Sequence, residues 1–277
     1  MHPAFSKNAE VGGGWTTSNG ENIEGFWVGK FETTGEYAED ASKVTVKPGI
    51  SSLRSMTINE QYKAGKSATF GEASSELIGS HMAKNSEWGA VAYLSQSSYG
   101  LNGKEIERNS EGYITGGSST KATIYTTNAG QSTTGNAYGV YDMSGGVVES
   151  TANYVNCGSS SIYLSKSGGT LSGDLYGADT TEQSTSTKYK TVYKVGTSTQ
   201  NSYNLAAGKK GDGVYETSNN YQYTNSWFGV NSYFPATSYP FFSRGGYYNS
   251  SIAGVFYFEG SNGNDGSSIS FRVALAF

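Results

Sequence analysis

The sequence holds little cysteine, proline or histidine: among 277 residues there are one Cys, 4 Pro and 2 His. A single thiol, Cys157, rules out an internal disulfide framework and any cysteine-cluster zinc site. It does not fix the redox compartment, because a large core holds an extracellular chain together without disulfides. With only His2 and His81 available, no Ser-His-Asp arrangement or histidine cluster can be assembled from sequence. The few prolines leave no extended proline-rich spacer. No apolar run approaches the ~18 residues of a membrane span, and residues 1 to 20 lack the basic-then-apolar pattern of a secretory signal. The abrupt start at Met1-His2-Pro3-Ala4-Phe5 is compatible with a targeting segment or stalk upstream. Positive charge is scarce too. The net charge is -4, and Lys209-Lys210 is the densest basic run, so no field gathers phosphates and nucleic acid is not an expected partner.

What the chain has instead is aromatic surface. Its 22 Tyr, 12 Phe and 4 Trp make 14% of the residues against 15% charged, a balance that suits an ordered core rather than a disordered chain. The length fits one large core or two modest ones, and we read residues 1–277 as one domain. The run Gly25-Phe26-Trp27-Val28-Gly29-Lys30-Phe31-Glu32 places aromatic and β-branched residues between turn formers, which predicts a buried strand. Leu53, Met56, Glu60 and Lys63 fall at helical spacing and predict a helix over about Ile50 to Lys66. Trp88, Val91 and Ala92 share one face of a second helix from Asn85 to Ser97, with Trp88 in the core. A Ser/Thr/Gly/Tyr-rich insertion occupies about 153–220, with turns at Gly168-Gly169 and a β-like run from Lys190 to Val195. From Phe241 to Phe277 aromatic runs alternate with Gly/Asn/Ser turns, the pattern of closely spaced strands. The expected class is α+β, two helices against a twisted antiparallel sheet with long loop insertions.

Three segments, in order, carry a resemblance. Ser86-Glu87-Trp88-Gly89-Ala90-Val91-Ala92-Tyr93 resembles the Glu-Trp helix of the formylglycine-generating-enzyme (sulfatase-modifying-factor) family. Asn136-Ala137-Tyr138-Gly139-Val140-Tyr141-Asp142-Met143-Ser144-Gly145 resembles its Gly-Leu-Tyr-Asp-Met-x-Gly turn. Arg244-Gly245-Gly246-Tyr247 with Ser270-Phe271-Arg272-Val273 is similar to the motif pair bracketing its C-terminal end. The resemblance implies an elaborated C-type-lectin-like fold. The catalytic relatives oxidise a substrate cysteine with paired copper-binding cysteines between those last motifs; this chain has none there, so an enzyme is not expected. Relatives also bind calcium beside the Asp-Met turn. Here Gly146, Val148 and Ser150 depart from the family's pattern while Glu149 remains, so no cofactor is expected and calcium stays open. The alternative use of Asp142 is to accept backbone N–H groups of its own turn.

The chain is closer in character to the variable proteins of diversity-generating retroelements, in which residues between the Gly-Gly turn and the final Phe-Arg strand vary and bind ligand. That resemblance gives Arg244, Gly245, Gly246, Phe271 and Arg272 as scaffold. It gives Tyr247, Tyr248, Asn249, Ser250, Ser251, Ile252, Tyr257, Glu259, Ser261, Asn262, Asn264 and Asp265 as candidate ligand-binding residues. Tyr provides rigid amphipathic area while Ser, Asn and Gly adapt their hydrogen bonds. Tyr247, Tyr248 or Tyr257 is expected to join Asn249, Ser251 and Asn264 in an exposed patch over Val255, Phe256, Phe271 and Val273, with one of Phe256 and Phe258 in the core. The expected partner is a protein or glycan on a host, prey or partner cell surface, met from a virion or bacterial surface, with no membrane insertion. A structural decoration domain and a degenerate oxidase are the competing readings.

Overall fold

The computed structural model describes residues 2–8, 20–37, 43–72, 74–117, 124–155, 175, 185–193, 209–214, 232, 234–235 and 238–276. Cys157, the Gly168-Gly169 turn and most of the 153–220 insertion lie outside them. The described strands are β1 (Trp27–Val28), β2 (Thr34–Glu36), β3 (Lys43–Thr45), β4 (His81–Met82), β5 (Val148–Val155), β6 (Thr185–Ser186), β7 (Thr191–Tyr193), β8 (Phe241–Gly245), β9 (Gly254–Ser261), β10 (Ile269–Phe271) and β11 (Val273–Leu275). Helix α1 (Ile58–Ser67) falls between β3 and β4, and helix α2 (Asn85–Gln96) follows β4. The α+β class stands.

Helix α1 begins eight residues later than its apolar spacing predicts. The cause is Thr57, whose hydroxyl accepts from the Glu60 N–H at 3.3 Å while the Glu60 carboxylate accepts from the Thr57 N–H at 2.7 Å. That capping box fixes the start, and the pattern Thr57-x-x-Glu60 announces it in the sequence. The preceding residues are drawn into long-range bridges instead: Ser52 pairs with Thr34 and Ser51 with Ile114. Helix α2 matches its expected span to one residue. The Glu87 carboxylate accepts from the Lys84 N–H at 2.8 Å and meets His81 Nε2 at 2.9 Å, closing the helix start below the surface. Trp88, Val91 and Ala92 are buried together with Met143, Val255 and Phe256.

The main sheet runs β6-β7-β5-β8-β9, with β10 alongside the first half of β5. It is mixed rather than antiparallel throughout: β7 and β10 run parallel to β5, and neither is its neighbour in the chain, so no tight hairpin imposes antiparallel pairing. A second sheet, β1-β11-β4, receives the C-terminal strand in its middle. The predicted strand from Gly25 to Glu32 shrinks to β1, whose Trp27 is 68% exposed. Among the described residues only β11 flanks β1, so β1 is an edge strand, and its Trp27 side chain faces solvent rather than a core. Between them α1 and the main sheet bury Ile58, Tyr62, Phe241, Phe271 and Val273 in the largest apolar cluster. Phe242 and Phe258 pack with Tyr193, Val155, Val214 and Phe234 in another.

Candidate functional site

The β8–β9 connection carries the first candidate residues, and glycine pairs set its shape. Gly245 and Gly246 take φ of 82° and 76°, and Gly145 and Gly146 take 76° and 75°, a region that L side chains avoid. The two turns are stitched together. Gly145 N–H donates to the Gly245 carbonyl at 3.2 Å, and Tyr248 N–H donates to the Gly146 carbonyl at 2.9 Å. The segment around Asn109 joins through its N–H to Ser144 O at 2.8 Å and its carbonyl to Gly146 N–H at 2.9 Å. Ser52 N–H in turn donates to Tyr113 O at 2.9 Å. Four loops distant in sequence thus share one backbone hydrogen-bond network.

Side chains collect on top of that network. Tyr247 and Tyr248 follow the end of β8, both half-exposed, with ring centroids 4.2 Å apart. Because neither belongs to a regular strand, strand alternation does not send them to opposite faces. The hydrogen bond between their hydroxyls, with burial next, pushes Tyr247 up to about 12. Arg54 and Tyr113 lie close enough to act on the Tyr247 hydroxyl, and the Arg54 guanidinium stacks 3.7 Å over the Tyr113 ring. Arg54 also donates to the Ser267 carbonyl, which ties in the loop holding Asn264 and Asp265. Arg108 donates to Ser250 O, and in the same loop Asn249 and Ser251 are exposed while Ile252 is half-buried; Asp265 is exposed in the loop that Arg54 reaches. Sequence reasoning missed Arg54, Arg108 and Tyr113. Nothing in their own neighbourhoods singles them out, since they reach the patch only through long-range turns.

Four candidates lie elsewhere. Tyr257 is 5% exposed and does not belong to the surface patch. It points to the face of β9 opposite Phe256 and Phe258, and its hydroxyl donates to Glu259 on the same face. Phe256 and Phe258 are both buried, since they share a face. Glu259, Ser261 and Asn262 line a separate cleft of about 260 Å³ with Val148, Tyr239, Ser243, Ser268 and Ile269. Asn264 and Asp265 belong to the loop between the cleft and Arg54. A larger apolar cleft of about 510 Å³, between α2 and Phe5 and Phe26, includes none of the candidates. Other exposed aromatics such as Tyr99 and Tyr138 make no ring contact among the described residues.

Arg244 and Arg272 are buried and hold the frame. Between Arg244 and Gly245 the register of β8 and β9 jumps from Phe258 to Gly254, leaving β9 carbonyls without ladder partners. Arg244 Nε donates to Tyr257 O at 3.1 Å and Trp88 Nε1 to Val255 O at 2.7 Å, filling that gap. Arg244 Nη1 reaches Asp212 O at 3.0 Å and Asn85 Oδ1 at 3.2 Å. Arg272 makes a two-point ion pair with Glu149, with Nε 3.1 Å from Oε2, and donates to Gly29 O at 2.7 Å and Tyr141 O at 2.9 Å.

Beneath the patch lie three buried carboxyl groups, Glu32, Asp142 and Glu149. Asp142 accepts from Asn109 Nδ2 at 2.9 Å and Gly116 N–H at 2.9 Å, a distant loop rather than its own turn. Glu32 Oε1 accepts from Val147 N–H at 2.9 Å. Burial first, then Asp142 and Glu149, push Glu32 well above the usual carboxyl range. Burial likewise raises Glu149 to about 7, with Arg272 opposing. The acid that the resemblance offered to calcium, Glu149, therefore has both oxygens committed to Arg272. Among the described residues no group of three His, Cys, Asp or Glu side chains is placed to hold a metal ion. Nor is any helix long and apolar enough to cross a membrane. No family model matches the sequence, and no curated protein matches it.

Proposed function

We propose that the protein is a non-catalytic ligand-binding protein on a C-type-lectin-like fold of the formylglycine-generating-enzyme type. In this reading it acts as a variable protein of a diversity-generating retroelement, binding a protein or glycan on another cell's surface from a virion or bacterial surface. The observation that carries it is the cluster of Tyr113, Tyr247, Tyr248 and Arg54 on loops locked by backbone hydrogen bonds. Tyr and Arg dominate binding hot spots, and a surface already fixed in place spends little ordering entropy on association. The fold assignment draws support from the meeting of the three resembling segments. The Trp88 ring sits under Arg244, 5.6 Å from its guanidinium carbon, and the Asp-Met turn hydrogen-bonds the Gly-Gly turn.

The test is a screen of cell-surface protein and glycan arrays, followed by alanine replacement. Tyr113→Ala, Tyr247→Ala and Tyr248→Ala should each cost about 1–4 kcal/mol in affinity. Trp27→Ala, at an exposed site on the other sheet, should change nothing. Equal affinity in all four variants would remove the patch from the function. A near-copy of the coding segment for 247–265 beside a reverse-transcriptase gene is the genetic counterpart of this expectation.

A further inference from the structure

The cleft beside the tyrosine patch has an acid with no counter-ion among the described residues. Glu259 is half-buried in β9, and its Cα partner across the ladder is Ser243 of β8. Among the described residues no Lys, Arg or His pairs with it; its one polar partner is the Tyr257 hydroxyl. Tyr257 is itself buried two residues back on the same strand face, beside the Glu259 carboxyl group. Around Glu259 the cleft presents the hydroxyl-bearing residues Ser243, Ser261 and Ser268 and the apolar side chains of Val148 and Ile269, with Tyr239 at the edge. Val148 and Ile269 are neighbours in the β5–β10 ladder, so the apolar wall is as fixed as the polar one.

A carboxylate recessed from water loses hydration, and a cation brought to it interacts more strongly than on an open surface. Burial accordingly raises Glu259 above the ordinary carboxyl range, with the Tyr257 bond opposing. The volume of about 260 Å³ lies below the range of drug-sized ligand pockets and leaves room for one long side chain. A flexible aliphatic stem ending in a compact ammonium group matches the lining: methylenes against Val148 and Ile269, charge against Glu259, remaining N–H donors toward serine oxygens. We propose that this cleft is a subsite for a primary ammonium group on an aliphatic stem, a lysine side chain of a protein ligand. Ser267, whose carbonyl holds Arg54, and Ser268, which lines the cleft, are consecutive, so patch and cleft adjoin. Only the identity of the bearer as a protein ligand rests on the binding function proposed above; the cleft's chemistry is independent of it.

The experiment uses the full chain, ¹⁵N-labelled, titrated with Nα-acetyl-lysine methylamide, and in parallel with the norleucine and arginine analogues. The lysine probe should saturably shift the amide signals of Ser243, Gly260 and Ser261, and should lower the Glu259 carboxyl titration midpoint measured by ¹³C NMR, because a neighbouring cation favours the carboxylate. E259Q, which keeps the shape of the side chain, should weaken the lysine probe about tenfold or more and leave the tyrosine amide signals in place. Equal binding of the norleucine probe, stronger binding of the arginine probe, an unchanged affinity in E259Q, or no saturable shift up to about 50 mM would each overturn the proposal. Failure here with retained ligand loss in Tyr247→Ala leaves the patch standing, and the reverse pattern isolates the cleft.

Discussion

Glu32 shows how one residue under the tyrosine patch can make the stability of the fold pH-dependent. Its carboxyl group is buried against Asp142 and Glu149, and its Oε1 holds the Val147 N–H just behind the Gly145-Gly146 turn. The folded chain binds the Glu32 proton more tightly than the unfolded chain, where the carboxyl titrates near its ordinary 4.5. Its contribution to stability is therefore complete below about pH 4.5 and is lost as pH rises through the higher folded value. Glu32→Gln keeps the hydrogen bond and cannot ionise. Between about pH 5 and about pH 7.5 the wild type should lose melting temperature progressively relative to E32Q as pH rises. Glu149, raised to about 7 by burial, and Lys84, pushed down to about 8 by burial, also titrate toward the top of that window, which is why the comparison is made against E32Q at each pH. Parallel melting curves for the two proteins would show that Glu32 is not the proton holder.

At the scale of elements, the β8–β9 hairpin decides how the tyrosines are presented. A Cβ on Gly246 would lie 2.6 Å from the Ala253 Cα, and the residue's φ of 76° adds strain for any L side chain. Gly246→Ala should lose about 2–4 kcal/mol in urea denaturation and displace the Tyr247–Tyr248 pair together. An unchanged midpoint would mean that the turn is softer than its backbone bonds imply. The strand partners tell the same story from the other side. Tyr257 is buried and lies outside the exposed patch because alternation along β9 sends its side chain to the face of Glu259, while Arg244 and Trp88 take up the carbonyls freed by the register jump.

On the scale of the whole molecule, Arg272 joins regions that no single element connects. Its guanidinium links β5 through Glu149, the loop after β1 through Gly29 and the Asp-Met turn through Tyr141. Arg272→Ala leaves Glu149 buried without its partner and should cost about 3–5 kcal/mol of global stability. Unfolding at an unchanged denaturant midpoint together with lost ligand binding would instead make Arg272 a contact residue. The same long-range logic built the tyrosine patch, since Arg54, Tyr113 and Tyr247 meet only when β8 has docked on β5 and the two glycine turns have closed.

The sequence by itself determined the parts of this protein that local chemistry controls. Helix α2, the run of short strands after Phe241, the buried Trp88 and the paired glycines are all legible in it, because periodicity and positive-φ turns depend on residues a few positions apart. The start of α1 was legible too, in Thr57 and Glu60, although apolar spacing alone pointed upstream. Tertiary structure alone decided the mixed direction of the sheet, the exposure of Trp27 on an edge, the burial of Tyr257 and the recruitment of Arg54 and Tyr113. Each of these depends on which distant segment supplies the hydrogen-bond partner or the covering side chain. A strand's own residues fix which side chains share a face, but the face that meets water is set by what packs against the other.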